Sequence, residues 1–267
     1  MYDRILVPVD GSEYADQMIP YAAALARKTG AKLALLRVAF DQSEREEDLA
    51  SVSERAASVG AEGLCVVTAG EVAPSIRAEA ERVPGTLVAM SSLGRTGVAE
   101  ALFGSVALDI VRESRQPVLV RRPSRSRDEP DTAIGRIVLP LDGSRESETM
   151  IADAANFAKW IGAQLVIVSV LDPKLEIDRG IPAADVQESS YIRSHARDIK
   201  ARYGIDTSWE VLHGEPKDAI PRFVSGLGDA MLAMTTHGRS GLRAVVTGSV
   251  TAACLRETGV PVLMRTP

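Results

Sequence analysis

Two segments of this chain combine glycine spacing with hydroxyl groups in the way an anion site requires: SSLGRTGVAEALFGSV over residues 91–106 and TTHGRSGLRAVVTGSV over residues 235–250. Nine residues separate Gly94 from Gly104, and nine separate Gly238 from Gly248. Glycine lets the backbone approach a bulky anion, and Gly-Ser at a helix start aims free amides and a hydroxyl at it. Phosphate suits that chemistry, with Ser105 and Ser249 where the helix dipole favours negative charge. A glycine-rich turn closed by a Ser cap leaves the same trace, and short glycine motifs often match by chance. Arg95 and Arg239 follow the first of these glycines and can reach phosphate as charge-assisted donors, or stand in solvent. Two Asp-Gly-Ser turns, Asp10 to Ser12 and Asp142 to Ser144, form a second pair. A carboxylate there can accept a hydrogen bond from a ribose hydroxyl or a base amino group. On this loop alone, capping of the next helix by Asp or Ser is the simpler reading.

These motifs come in pairs because the chain repeats itself. RILVPVDGSEYADQMIPYAAALARKTGAKLALLRV aligns with RIVLPLDGSRESETMIADAANFAKWIGAQLVIVSV at an offset of 132 residues, and the later motifs align at 144. Twelve residues are therefore inserted between Val170 and Gly214 of the second copy. Each copy alternates short β-branched runs with amphipathic stretches of helical length, the pattern of a parallel sheet wrapped by helices. In the first copy strands are expected near Arg4 to Val9, Lys32 to Val38, Gly63 to Thr68, Thr86 to Ser91 and Pro117 to Arg121. A helix over Glu13 to Lys28 would put Ala15, Met18, Ile19, Ala22, Ala23 and Ala26 on one apolar face. The insertion enlarges the second helical region, around Pro182 to Tyr203, as a longer helix or a flap. The fold class is α/β: two tandem Rossmann-like domains, 1–122 and 135–267, each a five-stranded parallel sheet flanked by about four helices. The segment 123–134, rich in Pro, Ser, Arg and Asp, reads as a linker.

Composition closes off other classes. With 45% apolar and 25% charged residues the chain is globular rather than disordered. A net charge of −5 offers no field for nucleic acid or an anionic membrane. Two cysteines, Cys65 and Cys254, imply no disulfide framework and suit a reducing compartment, so the expected location is cytoplasmic. The opening residues, MYDRILVPVDGS, fit neither a signal peptide nor a membrane span. His195 and His213 show no metal-ligand spacing, and no Walker A, GxSxG or HRD signature is present.

The Asp-Gly-Ser loop after the first strand, the G-x2-G-x9-G-[ST] loop after the fourth and the closing PVLV strand together resemble the universal stress protein family, over nearly the whole chain. The resemblance implies strand order 3-2-1-4-5 and an ATP site, with or without Mg²⁺. By position that site falls on Asp10, Val38, Met90, Gly94, Arg95, Gly97, Gly104, Ser105 and Val106, and on Asp142, Val170, Met234, Gly238, Arg239, Gly241, Gly248, Ser249 and Val250. The family's first glycine is Ser91 here in one copy and Thr235 in the other, and a β-branched Thr restricts backbone dihedrals that glycine leaves open. The implied role is a stress-response regulator that binds adenine nucleotide as a sensor or adaptor, without rapid turnover. The alternatives are a nucleotide-free interaction module with degenerate sites and a slow ATP hydrolase. A homodimer and an unidentified regulatory protein are the other expected partners.

Overall fold

The β-branched and aliphatic runs become strands, buried on both faces in the middle of each sheet and half-exposed in β3 (Glu62–Val67) and β8 (Thr207–His213). The computed structural model describes residues 2–95, 101–124, 133–171, 184–236 and 248–267. Two units are resolved by internal contact, Met1–Thr132 and Ala133–Pro267. In the first, the elements run β1 (Arg4–Pro8), α1 (Glu13–Asp16), α2 (Ile19–Thr29), β2 (Lys32–Ala39), α3 (Arg45–Ser58), β3 (Glu62–Val67), α4 (Val72–Arg82), β4 (Thr86–Ser91), α5 (Ser105–Glu113) and β5 (Val118–Arg121). The second runs β6 (Arg136–Pro140), α6 (Arg145–Glu148), α7 (Ile151–Ile161), β7 (Gln164–Leu171), α8 (Ala184–Tyr203), β8 (Thr207–His213), α9 (Pro216–Ser225), β9 (Ala230–Thr235), α10 (Ser249–Glu257) and β10 (Val262–Arg265).

All strand pairs within a unit are parallel. The order is β3-β2-β1-β4-β5 in the first unit and β8-β7-β6-β9-β10 in the second, as the resemblance implied. The chain steps outward from β1 to β3, then returns to the other side of β1 with β4. The loops after β1 and β4 therefore leave the sheet side by side at the reversal point, where open α/β sheets bind ligands. The loops after β6 and β9 do the same in the second unit.

The single helix expected over Glu13 to Lys28 is two. Between α1 and α2, Met18 N–H bonds back to the Ala15 carbonyl at 3.2 Å before Ala22 resumes with Met18 at 3.0 Å. Pro20 lies in the first turn of α2, where its missing N–H is harmless. The second unit breaks at the same place without a proline: Met150 N–H bonds Ser147 O at 3.2 Å, and the Thr149 hydroxyl donates to Glu146 O at 2.7 Å. Of the expected face, Ala15, Met18, Ile19, Ala22 and Ala23 are buried, while Leu25 replaces Ala26 at its far end. Part of the insertion lengthens a helix, since α8 has 20 residues where α3 has 14, while Pro182 and the rest of residues 172–183 lie outside the described residues. It packs Ile192, Ala196 and Ile199 inward at helical spacing.

Beneath β1, Arg4 and Glu79 form a buried ion pair at 2.8 Å, and Arg4 also donates to Thr86 Oγ1 at 3.0 Å and to the Glu79 carbonyl at 2.6 Å. The second unit keeps the idea with Arg136 and Asp229 at 2.5 Å. Cys254 is fully buried on α10, and burial pushes its thiol up to about 12. On α7, Trp160 packs edge-on against Phe157 with ring centroids 5.3 Å apart; Trp209 lies on β8. No helix among the described residues is long and apolar enough to cross a membrane.

Candidate functional site

The Asp-Gly-Ser turn resolves into two jobs. Ser12 is the N-cap of α1, its side chain accepting from Ala15 N–H at 3.2 Å, and Ser144 does the same for α6 with Ser147 N–H at 3.2 Å. The aspartate braces that serine instead of capping. Asp10 Oδ1 accepts from Ser12 N–H at 2.9 Å and from the Ser12 hydroxyl at 2.6 Å; Asp142 Oδ1 receives the same two bonds from Ser144 at 3.0 and 2.5 Å. Gly11 and Gly143, at φ +82° and +76°, supply the left-handed step that brings the serine round to its aspartate.

The loop after β4 closes onto this turn. Arg95 N–H donates to Asp10 Oδ2 at 2.6 Å, and Arg95 Nη2 donates to the Asp10 carbonyl at 2.5 Å. Gly94 lies so close to Asp10 Oδ2 that a Cβ there would overlap it. Burial pushes the Asp10 carboxyl up, but the Ser12 hydroxyl, the Arg95 and Ser12 amides and the Arg95 charge outweigh it, holding the group below its ordinary value. The aspartate is thus ionised and half-buried where the loops after β1 and β4 meet.

The last glycine of the motif stands differently. Gly104 is the N-cap of α5 at φ −75° and ψ 163°, and its N–H donates to the Ser92 carbonyl at 2.8 Å. No side chain caps α5, and its first turn holds no acidic residue. Gly248 repeats this at α10, with N–H to the Thr236 carbonyl at 2.6 Å and again no side-chain cap. Ser105 and Ser249 are exposed at the two helix starts, with Val106 and Val250 half-buried behind them. Val38 and Met90 are 8% and 6% exposed near the ends of β2 and β4, and Met234 is buried on β9 with Val170 half-buried on β7. The structure therefore brings Asp10, Gly94, Arg95, Gly104 and Ser105 to one end of the first sheet; Asp142, Gly248 and Ser249 hold the matching places in the second. Gly97, Gly238, Arg239 and Gly241 lie outside the described residues.

Ser91 and Thr235, where the family motif has glycine, are the last residues of β4 and β9, paired with Arg121 and Arg265. They are extended strand positions, which a β-branched residue favours. Sequence reasoning missed Ser92 and Thr236, both buried hydroxyl residues whose carbonyls anchor Gly104 and Gly248. Their recurrence at the 144-residue offset was the available signal. The Ser92 hydroxyl is buried with no hydrogen-bond partner among the described residues.

Comparison with known proteins accounts for this geometry. The model of the universal stress protein family matches residues 1–122 and again 133–265. The chain belongs to the universal stress protein family. A universal stress protein of Synechocystis sp. is 25% identical over 298 residues, covering 97% of this chain and 98% of its own. One from Methanocaldococcus jannaschii is 27% identical over 138 residues, covering 48% of this chain and 80% of its own. Among solved structures, a universal stress protein from Archaeoglobus fulgidus superposes with a TM-score of 0.72 at 20% identity, over 100% of this chain and 99% of that one, a likeness of fold. This universal stress protein is thus a tandem of two family domains.

Proposed function

We propose that this universal stress protein is a stress-response regulator that binds ATP where the loops after β1 and β4, or after β6 and β9, meet. The observation that carries the reading is Gly104. Its φ is negative and a Cβ would come no nearer than 3.8 Å to the Ser92 carbonyl, so the fold itself does not ask for glycine there. A ligand approaching the backbone does. The start of α5, whose N-cap has no side chain, and the Ser92 hydroxyl fit the same guest, because among the described residues neither is given an acceptor. Gly104, Ser105 and Val106 would hold phosphates, and Asp10 and Val38 the nucleoside. Asp10 uses three of about four acceptor positions on its own loops, leaving room for one ribose or base donor. Mg²⁺ would arrive with the triphosphate, since no three His, Cys, Asp or Glu side chains gather among the described residues.

A second reading, an interaction module without nucleotide, draws on that same internal satisfaction of Asp10. Nucleotide content separates the two. Freshly purified protein is denatured, and the supernatant is analysed by chromatography and mass spectrometry. At least one ATP per chain is expected. None, with no thermal shift in excess Mg-ATP, would replace the proposal with the interaction module, and phosphate release at an ordinary enzymatic rate would replace it with a hydrolase.

A further inference from the structure

The chain leaving β5 is tied back onto the end of α1 and onto the segment entering α5. Gln17, which ends α1, grips Ser124 at two points: its Oε1 accepts from Ser124 N–H at 2.8 Å and its Nε2 donates to the Ser124 carbonyl at 2.8 Å. A neighbouring strand would offer the same pair of bonds. Arg121 Nη1 donates to that Gln17 oxygen at 3.3 Å while its guanidinium lies 4.7 Å over the Tyr21 ring. Arg122 Nη1 donates to the Ala101 carbonyl at 2.7 Å, just before Gly104. Gln17 thus ties Ser124 to the end of the helix that Ser12 caps and Asp10 braces, and Arg122 holds the segment entering α5.

The second unit differs in the residues at these places. Thr149 and Thr266 stand where Gln17 and Arg122 would be, and Arg265 bonds Asp153 at 2.5 Å where the first unit offers Tyr21. The clasp belongs to the copy whose last strand leads into the segment between the two units.

We infer that Gln17 and Arg122 are positioning residues for the two loops of the first unit, and that a ligand ordering those loops also tightens their hold on residues 122–124. The ligand in this statement rests on the nucleotide reading above. The coupling must run both ways: if ATP steadies the clasp, the clasp strengthens ATP binding by the same factor.

The test uses the full chain with its second site blocked by Gly248→Asp. Arg122→Ala should weaken ATP binding about tenfold, within the usual span for coupled sites. Arg122→Lys can still donate to the Ala101 carbonyl and should recover most of that loss, which a general loss of folding would not allow. ATP should slow hydrogen exchange at the Ser124 amide in the otherwise native chain but not in Gln17→Ala. Unchanged affinity in Arg122→Ala, or ATP binding without any slowing at Ser124, would overturn the inference. If the parent chain takes up no ATP, the nucleotide reading falls and the positioning role is decided without ligand. Faster exchange at the Gly104 amide in Arg122→Ala then supports it, and equal rates overturn it.

Discussion

Replacing Gly104 by aspartate should make the unliganded protein more stable and unable to bind ATP. Gly104 already has the extended dihedrals of an N-cap, and its Cβ direction is open to 3.8 Å. Aspartate in that place can accept from the free amides of α5, an advantage of a few tenths of a kcal/mol over glycine. Its charge at a helix start adds about 0.3–1 kcal/mol. Removing glycine's freedom in the unfolded chain adds about 0.4–1 kcal/mol. Together the gain is about 1.5 kcal/mol, which should raise the first unit's melting midpoint by about 5 °C. The same carboxylate would sit where the proposed site takes phosphate oxygens. Like charges forced together cost several kcal/mol, so affinity should fall by more than about a hundredfold. Differential scanning calorimetry of the nucleotide-free protein and equilibrium dialysis with labelled ATP, in a chain whose second site is blocked, read the two effects separately. A lower midpoint would mean the fold needs this glycine. Unchanged affinity would mean that nothing anionic approaches the start of α5. Either result refutes the reasoning that opens the proposed function.

The other glycine should behave in the opposite sense. Gly94→Ala drives a methyl into Asp10 Oδ2, so the melting midpoint should drop and an NMR titration should find the Asp10 carboxyl moved upward as the Arg95 amide is lost; an unshifted Asp10 would contradict the geometry. Glu79→Gln should cost about 3 kcal/mol in urea unfolding at neutral pH, because Arg4 is left buried without its countercharge. Arg82 first, against the upward push of burial and with help from Arg4, holds Glu79 below its usual 4.5. Its contribution is therefore complete above that value and fades as pH falls through the lower folded one, so the gap between variant and parent should narrow on acidification.

Strand positions were legible because aliphatic, β-branched runs between glycines and polar stretches have few other uses in a parallel sheet. The paired motifs were legible because the chain prints them twice. What stayed hidden was the division of labour inside them. Asp10 and Ser12 are both capping types, and only the φ of Gly11 and the position of Arg95 decide that serine caps while aspartate braces. Gly94 and Gly104 read alike as letters, yet one is glycine for a contact within the fold and the other has room to spare. The break after α1 was unreadable from Pro20 alone, since the second unit breaks without proline. Gln17 and Arg122 carry no local pattern at all. Their partners lie 107 and 21 residues away, and contacts of that kind exist only once the sheet has formed.

Both tryptophans, Trp160 beside Phe157 and Trp209 on β8, fall in the second unit, and the first unit has none. Under indole-selective excitation one copy of the repeat emits and the other is dark. The emission spectrum is therefore a native label that reports on Ala133–Pro267 alone, while calorimetry registers both units. A melting midpoint seen by heat but not by light belongs to the copy that carries Gly104, and nucleotide effects can be sorted between the two halves without attaching a dye.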